Sequence, residues 1–179
     1  MRKPGGFPES FVKEKFIFVR QDVRGRFGSG GTFVHVRPHN PAKSAPTDID
    51  ESTDTYDTID WLLKNVSGNN GAAGMTGISY PGFFAAAGMI DSHPALKAVS
   101  PQAPVATIFD GDDILHGGCF WLCHNWGFMD WFEQLLDDPT RQDPRPFDYG
   151  TTDGYRFFLE GGSLAELGAK HFKGRIRIS

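Results

Sequence analysis

The sequence predicts an α/β fold, a parallel sheet with flanking helices. Three observations carry this prediction: a continuous apolar run, an amphipathic helix after it, and a short strand-like run that passes through Ser79 straight into a small-residue apolar helix. The first run, Phe16, Ile17, Phe18 and Val19, ends at Arg20, Gln21 and Asp22 and has the form of a strand buried on both faces near the middle of such a sheet. Gly25, Gly28, Gly30 and Gly31 follow it. They lack the Gly-Lys-Ser/Thr ending of a P-loop and the G-x-G-x-x-G spacing, so the loop reads as a tight strand exit rather than a nucleotide cradle.

Pro38, Pro41 and Pro46 mark residues 39–48 as an exposed connection, with His35 expected on a strand end and His39 in the loop. A helix then begins at Ser52 or Thr53, with Tyr56, Ile59, Leu63 and Val66 at helical spacing, and closes over residues 65–71. Asp48, Asp50, Glu51, Asp54, Asp57 and Asp60 crowd its start and outer side. Carboxylates are favoured near a helix N-terminus by the dipole, so they are read as a solvated face and no metal is assigned to them. Residues 74–78 form the next expected strand, residues 81–90 a buried helix, and residues 96–100 a third buried strand, giving βαβαβ order and right-handed crossovers.

Past Gly111 the texture changes. Phe120, Trp121, Trp126, Phe128, Trp131 and Phe132 fall in a helix-like stretch, and Trp121, Phe128, Phe132, Leu135 and Leu136 can share one face. Such rings serve either ordinary helix packing or a lid that lines a substrate pocket. Residues 137–145 are turn-like, and residues 164–171 suit one more short helix.

Composition narrows the function classes. The 179 residues carry 18 Lys and Arg against 22 Asp and Glu, a net charge of −4, with no basic run to hold nucleic acid or an anionic membrane. No apolar run approaches the ~18 residues of a membrane span, and mean hydropathy is −0.35, so a soluble protein is expected. Met1, Arg2 and Lys3 are not followed by the apolar segment of a secretory signal, although a secreted or periplasmic location stays open for a full-length form. Cys119 and Cys123 are spaced C-x3-C, neither a zinc half-knuckle nor a C-x-x-C redox motif, and are read as buried apolar residues.

The chemistry concentrates at Ser79. A serine hydroxyl needs a base to take its proton and donors to hold the oxyanion that forms. A sharp turn between a strand and a helix exposes the hydroxyl and aims helix N-terminal N–H groups at the developing charge, provided small residues flank the turn. Gly77 lies two residues before Ser79, while Pro81 stands where the G-x-S-x-G elbow has glycine and Gly82 comes one place later. The alternative is a hydroxyl that only caps the helix.

The wider string Gly74-Met75-Thr76-Gly77-Ile78-Ser79-Tyr80-Pro81-Gly82 resembles the G-x-S-Y-x-G elbow of a related set of α/β-hydrolases: the α-amino-acid ester hydrolases, the cocaine-esterase-like hydrolases and the Xaa-Pro dipeptidyl-peptidases. In that set the late glycine is the rule. The stretches 18–31, 53–66, 91–97 and 111–118 are similar too, so the resemblance covers about residues 15–135. It implies a partial α/β-hydrolase core over 1–115 and a partial helical cap over 116–179. It further implies Ser79 as nucleophile, the Tyr80 backbone N–H as an oxyanion donor, and Asp113 as a carboxylate that binds a substrate α-amino group, with Asp112 as the neighbouring alternative. The substrate implied is a small-molecule ester or amide, with no cofactor; homo-oligomerisation of the full-length form is left open.

The family's triad acid and histidine fall farther downstream than residue 179, and its second oxyanion donor is an earlier tyrosine, so the chain reads as a fragment with little turnover of its own. His124 and His171 would formally suit the Ser, acid, His order but neither is favoured; His93 is expected in a turn, and His116 matches a family position other than the triad base. A non-catalytic α/β module is the alternative from another class.

Overall fold

The computed structural model describes residues 9–132 and 147–172. The chain runs α1 (Glu9–Lys13), α2 (Glu51–Asn65), β1 (Ala73–Ile78), α3 (Tyr80–Gly88), β2 (Leu96–Gln102), α4 (Ile108–Gly111), β3 (Leu115–His116), β4 (Cys119–Phe120), α5 (Leu122–Phe132), α6 (Gly154–Gly161) and α7 (Leu164–His171). β1 and β2 pair in parallel, with Met75 opposite Val99 and Ile78 opposite Gln102. The unit β1-α3-β2 is therefore a βαβ crossover, as the order of apolar runs predicts, and α3 packs on both strands and on α2. β3 and β4 form a separate small antiparallel hairpin.

α2 starts at Asp50, whose side chain accepts from the Thr53 N–H while the Thr53 hydroxyl accepts from the Asp50 N–H, a reciprocal capping box. α3 and α2 approach closely at Gly88: a Cβ there would lie 2.5 Å from Thr55 Oγ1. Ile59, Ala85 and Ala95 are buried around this contact.

A second apolar cluster gathers later in the chain. Trp126 of α5 stacks on Phe172 at 4.4 Å between ring centroids and meets Phe158 of α6 edge-on at 5.7 Å, with Leu167 of α7 1% exposed beside them. The short helix expected over 164–171 is α7, capped by Ser163 and Glu166 in a second reciprocal box.

Several expectations are corrected. The run from Phe16 to Val19 is not a central strand: neither described sheet includes it, and Phe16 and Ile17 are 58% and 49% exposed. Strand-forming residues become a strand only when a neighbour supplies the ladder. His35 accordingly lies in a turn rather than on a strand end. Cys119 and Cys123 are exposed, because the short hairpin and the first turn of α5 present them to solvent. The carboxylates around the start of α2 are not a purely solvated face, since Asp50 is 1% exposed and Asp54 is bound by Arg24 through Nε at 2.9 Å. Leu135, Leu136 and the turn over 137–145 lie outside the described residues. Among the described residues no helix is long and apolar enough to cross a membrane.

Candidate active site

Ser79 is the hinge between β1 and α3. Its backbone has φ 61° and ψ −123°, a region that a non-glycine residue occupies only under constraint. The constraint is visible. The Ser79 N–H donates to the Gln102 carbonyl at the end of β2 at 2.9 Å, and the Ser79 carbonyl accepts from the Phe83 N–H at 3.0 Å in the first turn of α3. The chain thus turns sharply while each side stays anchored, one to the sheet and one to the helix.

The two glycines are there because nothing larger fits. A Cβ on Gly77 would sit 2.0 Å from the Pro81 carbonyl oxygen, and one on Gly82 would sit 2.5 Å from the Gln102 oxygen. Gly82 faces the end of β2, so the close approach of helix to strand falls one place later in the sequence than the G-x-S-x-G spacing has it. Pro81 falls in the first turn of α3, where a missing N–H costs no helical hydrogen bond.

Ser79 itself is exposed and its side chain caps nothing in α3. Ser79 holds the N-cap position of α3 without the side-chain hydrogen bond by which a capping serine accepts from an N–H of the first turn. Among the described residues the Ser79 hydroxyl makes no hydrogen bond, and no described histidine reaches it. His124 stacks beside Phe128 at 6.2 Å, while His171 belongs to the Trp126 cluster, 5.5 Å from Phe147. His93 is in the connection before β2, where its Nδ1 accepts from the Ala95 N–H, and His116 lies beside Trp121 at 5.9 Å.

Tyr80 follows Ser79 and is 6% exposed. Its hydroxyl accepts from the Val36 N–H at 2.9 Å and meets His35 Nδ1 at 3.0 Å, a partner that burial holds below the usual histidine range. Sequence reasoning missed this link, because the residues are 45 positions apart and no local pattern connects them.

The two candidate aspartates differ. Asp112 is fixed by its loop, its Oδ2 accepting from the Ala106 N–H at 2.9 Å and its Oδ1 from the Asp113 N–H at 2.8 Å. Asp113 is exposed, and among the described residues its carboxylate makes no hydrogen bond or ion pair. No described group of three or more His, Cys, Asp or Glu is arranged to hold a metal.

A parallel βαβ unit with a strained serine at the strand-to-helix turn belongs to the α/β-hydrolase class, and comparison with solved structures agrees. An α-amino acid ester hydrolase superposes with a TM-score of 0.75 at 37% identity over 91% of this chain and 25% of that one. An aminopeptidase from a marine sediment Thaumarchaeota archaeon gives 0.72 at 36% identity over 87% of this chain and 24% of that one. The cocaine esterase of Rhodococcus sp. (strain MB1 Bresler) is 32% identical over 99 residues, 55% of this chain. The model of the X-Pro dipeptidyl-peptidase (S15) family matches residues 3–157, and the chain belongs to that family. It spans 15% of the length of the cocaine esterase it matches.

Proposed function

We propose that this chain carries the nucleophile of a serine hydrolase that cleaves esters or amides through an acyl-enzyme, with α-amino-acid esters as the preferred substrates. The observation that carries the reading is Ser79: exposed, uncapped, held at φ 61°, and flanked by glycines with no room for a Cβ. In the reaction a general base takes the hydroxyl proton as Oγ attacks the carbonyl carbon. The carbonyl oxygen becomes an oxyanion beside the Tyr80 backbone N–H, the leaving group departs with a proton, and water then releases the acyl group. The base is assigned to none of the described histidines.

Asp113 supports an amine-bearing substrate, because an ammonium leaving water needs an opposite charge and this carboxylate is not engaged elsewhere among the described residues. Asp112 is the weaker choice, since the Ala106 and Asp113 N–H groups already occupy it. In this reading residues 1–115 belong to the catalytic core and residues 116–179 to a helical cap, with the Trp126 cluster as the cap's own apolar centre. A second reading, cleavage after an X-Pro pair or of a cocaine-like ester, uses the same serine and draws on the family match and the esterase relative.

The test uses the polypeptide encoded by the natural reading frame. A free-amino ester should be hydrolysed about tenfold faster than its N-acetylated twin, with Asp113→Asn removing the preference and Ser79→Ala cutting both rates by about a thousandfold or more. Preference for the acetylated ester would refute the ammonium site, and preference for an X-Pro anilide over both esters would favour the second reading.

A further inference from the structure

We propose that His35 is a positioning residue for the Ser79 elbow, acting through the Tyr80 hydroxyl. The inference rests on the reading of Ser79 as nucleophile and Tyr80 N–H as oxyanion donor, and it concerns what keeps that N–H in place. The Tyr80 oxygen accepts from the Val36 N–H at 2.9 Å and lies 3.0 Å from the His35 imidazole Nδ1. On this proposal Tyr80 donates, His35 Nδ1 accepts, and the ring proton sits on Nε2.

The turn that presents these groups is itself strained. Val36 has φ 42°, in the left-handed region that a β-branched residue enters only when its surroundings hold it there. Its N–H is fixed by the phenol, so the turn and the Tyr80 ring hold each other. The imidazole is also wedged between elements, 5.3 Å from the Tyr80 ring of α3 and 6.1 Å, edge-on, from Phe128 of α5. Phe84 at 5.0 Å and Phe83 at 6.0 Å pack the phenol from within α3. Because Tyr80 is the first residue of α3, anchoring its side chain also restrains the first turn of the helix and with it the backbone N–H next to Ser79. Removing the acceptor at Nδ1 leaves the phenol proton to seek another partner and loosens the first turn of α3.

The experiment compares His35→Leu, His35→Asn and Tyr80→Phe in the polypeptide encoded by the natural reading frame. A fluorophosphonate reports covalent modification of Ser79 as a rate constant, kinact, and a binding constant, KI. His35→Leu and Tyr80→Phe should each lower kinact about tenfold with KI within about twofold, as expected when an oriented donor is misplaced. His35→Asn, which keeps an acceptor near Nδ1, should recover kinact to within about twofold, and the variant carrying both His35→Leu and Tyr80→Phe should be no slower than Tyr80→Phe, which already removes the His35 contact together with the Val36 one. Wild-type kinact in His35→Leu, or failure of His35→Asn to rescue, overturns the proposal. If the wild-type protein is not modified at Ser79, the nucleophile reading falls by itself. Amide hydrogen exchange then decides the positioning claim: His35→Leu should speed exchange at Val36 and Phe83 about tenfold relative to Val66 in α2, and unchanged protection there overturns it.

Discussion

Asp50 caps α2, yet it also accepts from the Asn40 N–H at 3.0 Å, from the Ser52 hydroxyl at 2.9 Å and pairs with Lys43 at 2.9 Å. Burial alone would raise its pKa; the N–H groups of Asn40 and Thr53, with Lys43 and Ser52, outweigh that and hold it well below the usual carboxylate range. A depressed folded pKa contributes stability that is present above the unfolded value of about 4 and is lost as pH falls through and below it. Asp50→Asn should therefore cost about 2 kcal/mol at pH 7 and flatten the fall in stability between about pH 4 and pH 2, read as urea midpoints against pH. An unchanged acid slope would show that other carboxylates carry it. The sequence reading put Asp50 on a solvated face because its acidic neighbours fit one. The lysine and amide that bury it come from a loop seven and ten residues earlier. The turn from β1 to α3 at Ser79 was legible for the opposite reason: Gly77, Tyr80 and Gly82 lie within three residues of it, and the signal for the turn is local.

At the scale of elements, the contact between α2 and α3 is made at Gly88 against Thr55. Gly88→Ala should destabilise by about 2 kcal/mol, because the added methyl meets the Thr55 side chain rather than open space. Thr55→Ala in the same molecule should recover about half of that loss, a coupling measurable by a double-mutant cycle in urea. Strict additivity would mean that the helices move apart instead. The helices α2, α3 and α7 and the strands β1 and β2 could all be read from periodicity, caps and glycine positions, since these signals lie within each segment. The run at Phe16 could not, because an apolar stretch has strand character in sequence whether or not a neighbour supplies its ladder. Nor could the exposure of Cys119 and Cys123, which follows from a short hairpin and from the first turn of α5 rather than from the residue type.

Across the molecule, two regions meet near the turn at Ser79. The βαβ unit places Ser79 at the C-terminal edge of β1, and α5 approaches it through Phe128 and His35, while Trp126 ties α5 to α6 and to Phe172 beyond α7. Rings therefore lead from the strained turn at His35 and Val36 to α5, the helix that carries Trp126. The proposal at the centre is narrower: that Ser79 is an activated nucleophile. The most direct measurement treats the polypeptide encoded by the natural reading frame with a fluorophosphonate and locates the adduct by peptide mass spectrometry. The account predicts a single adduct on the peptide containing Ser79, absent from Ser79→Ala and suppressed by an amino-acid ester. A folded protein left unmodified, or one labelled equally well after Ser79→Ala, would contradict it.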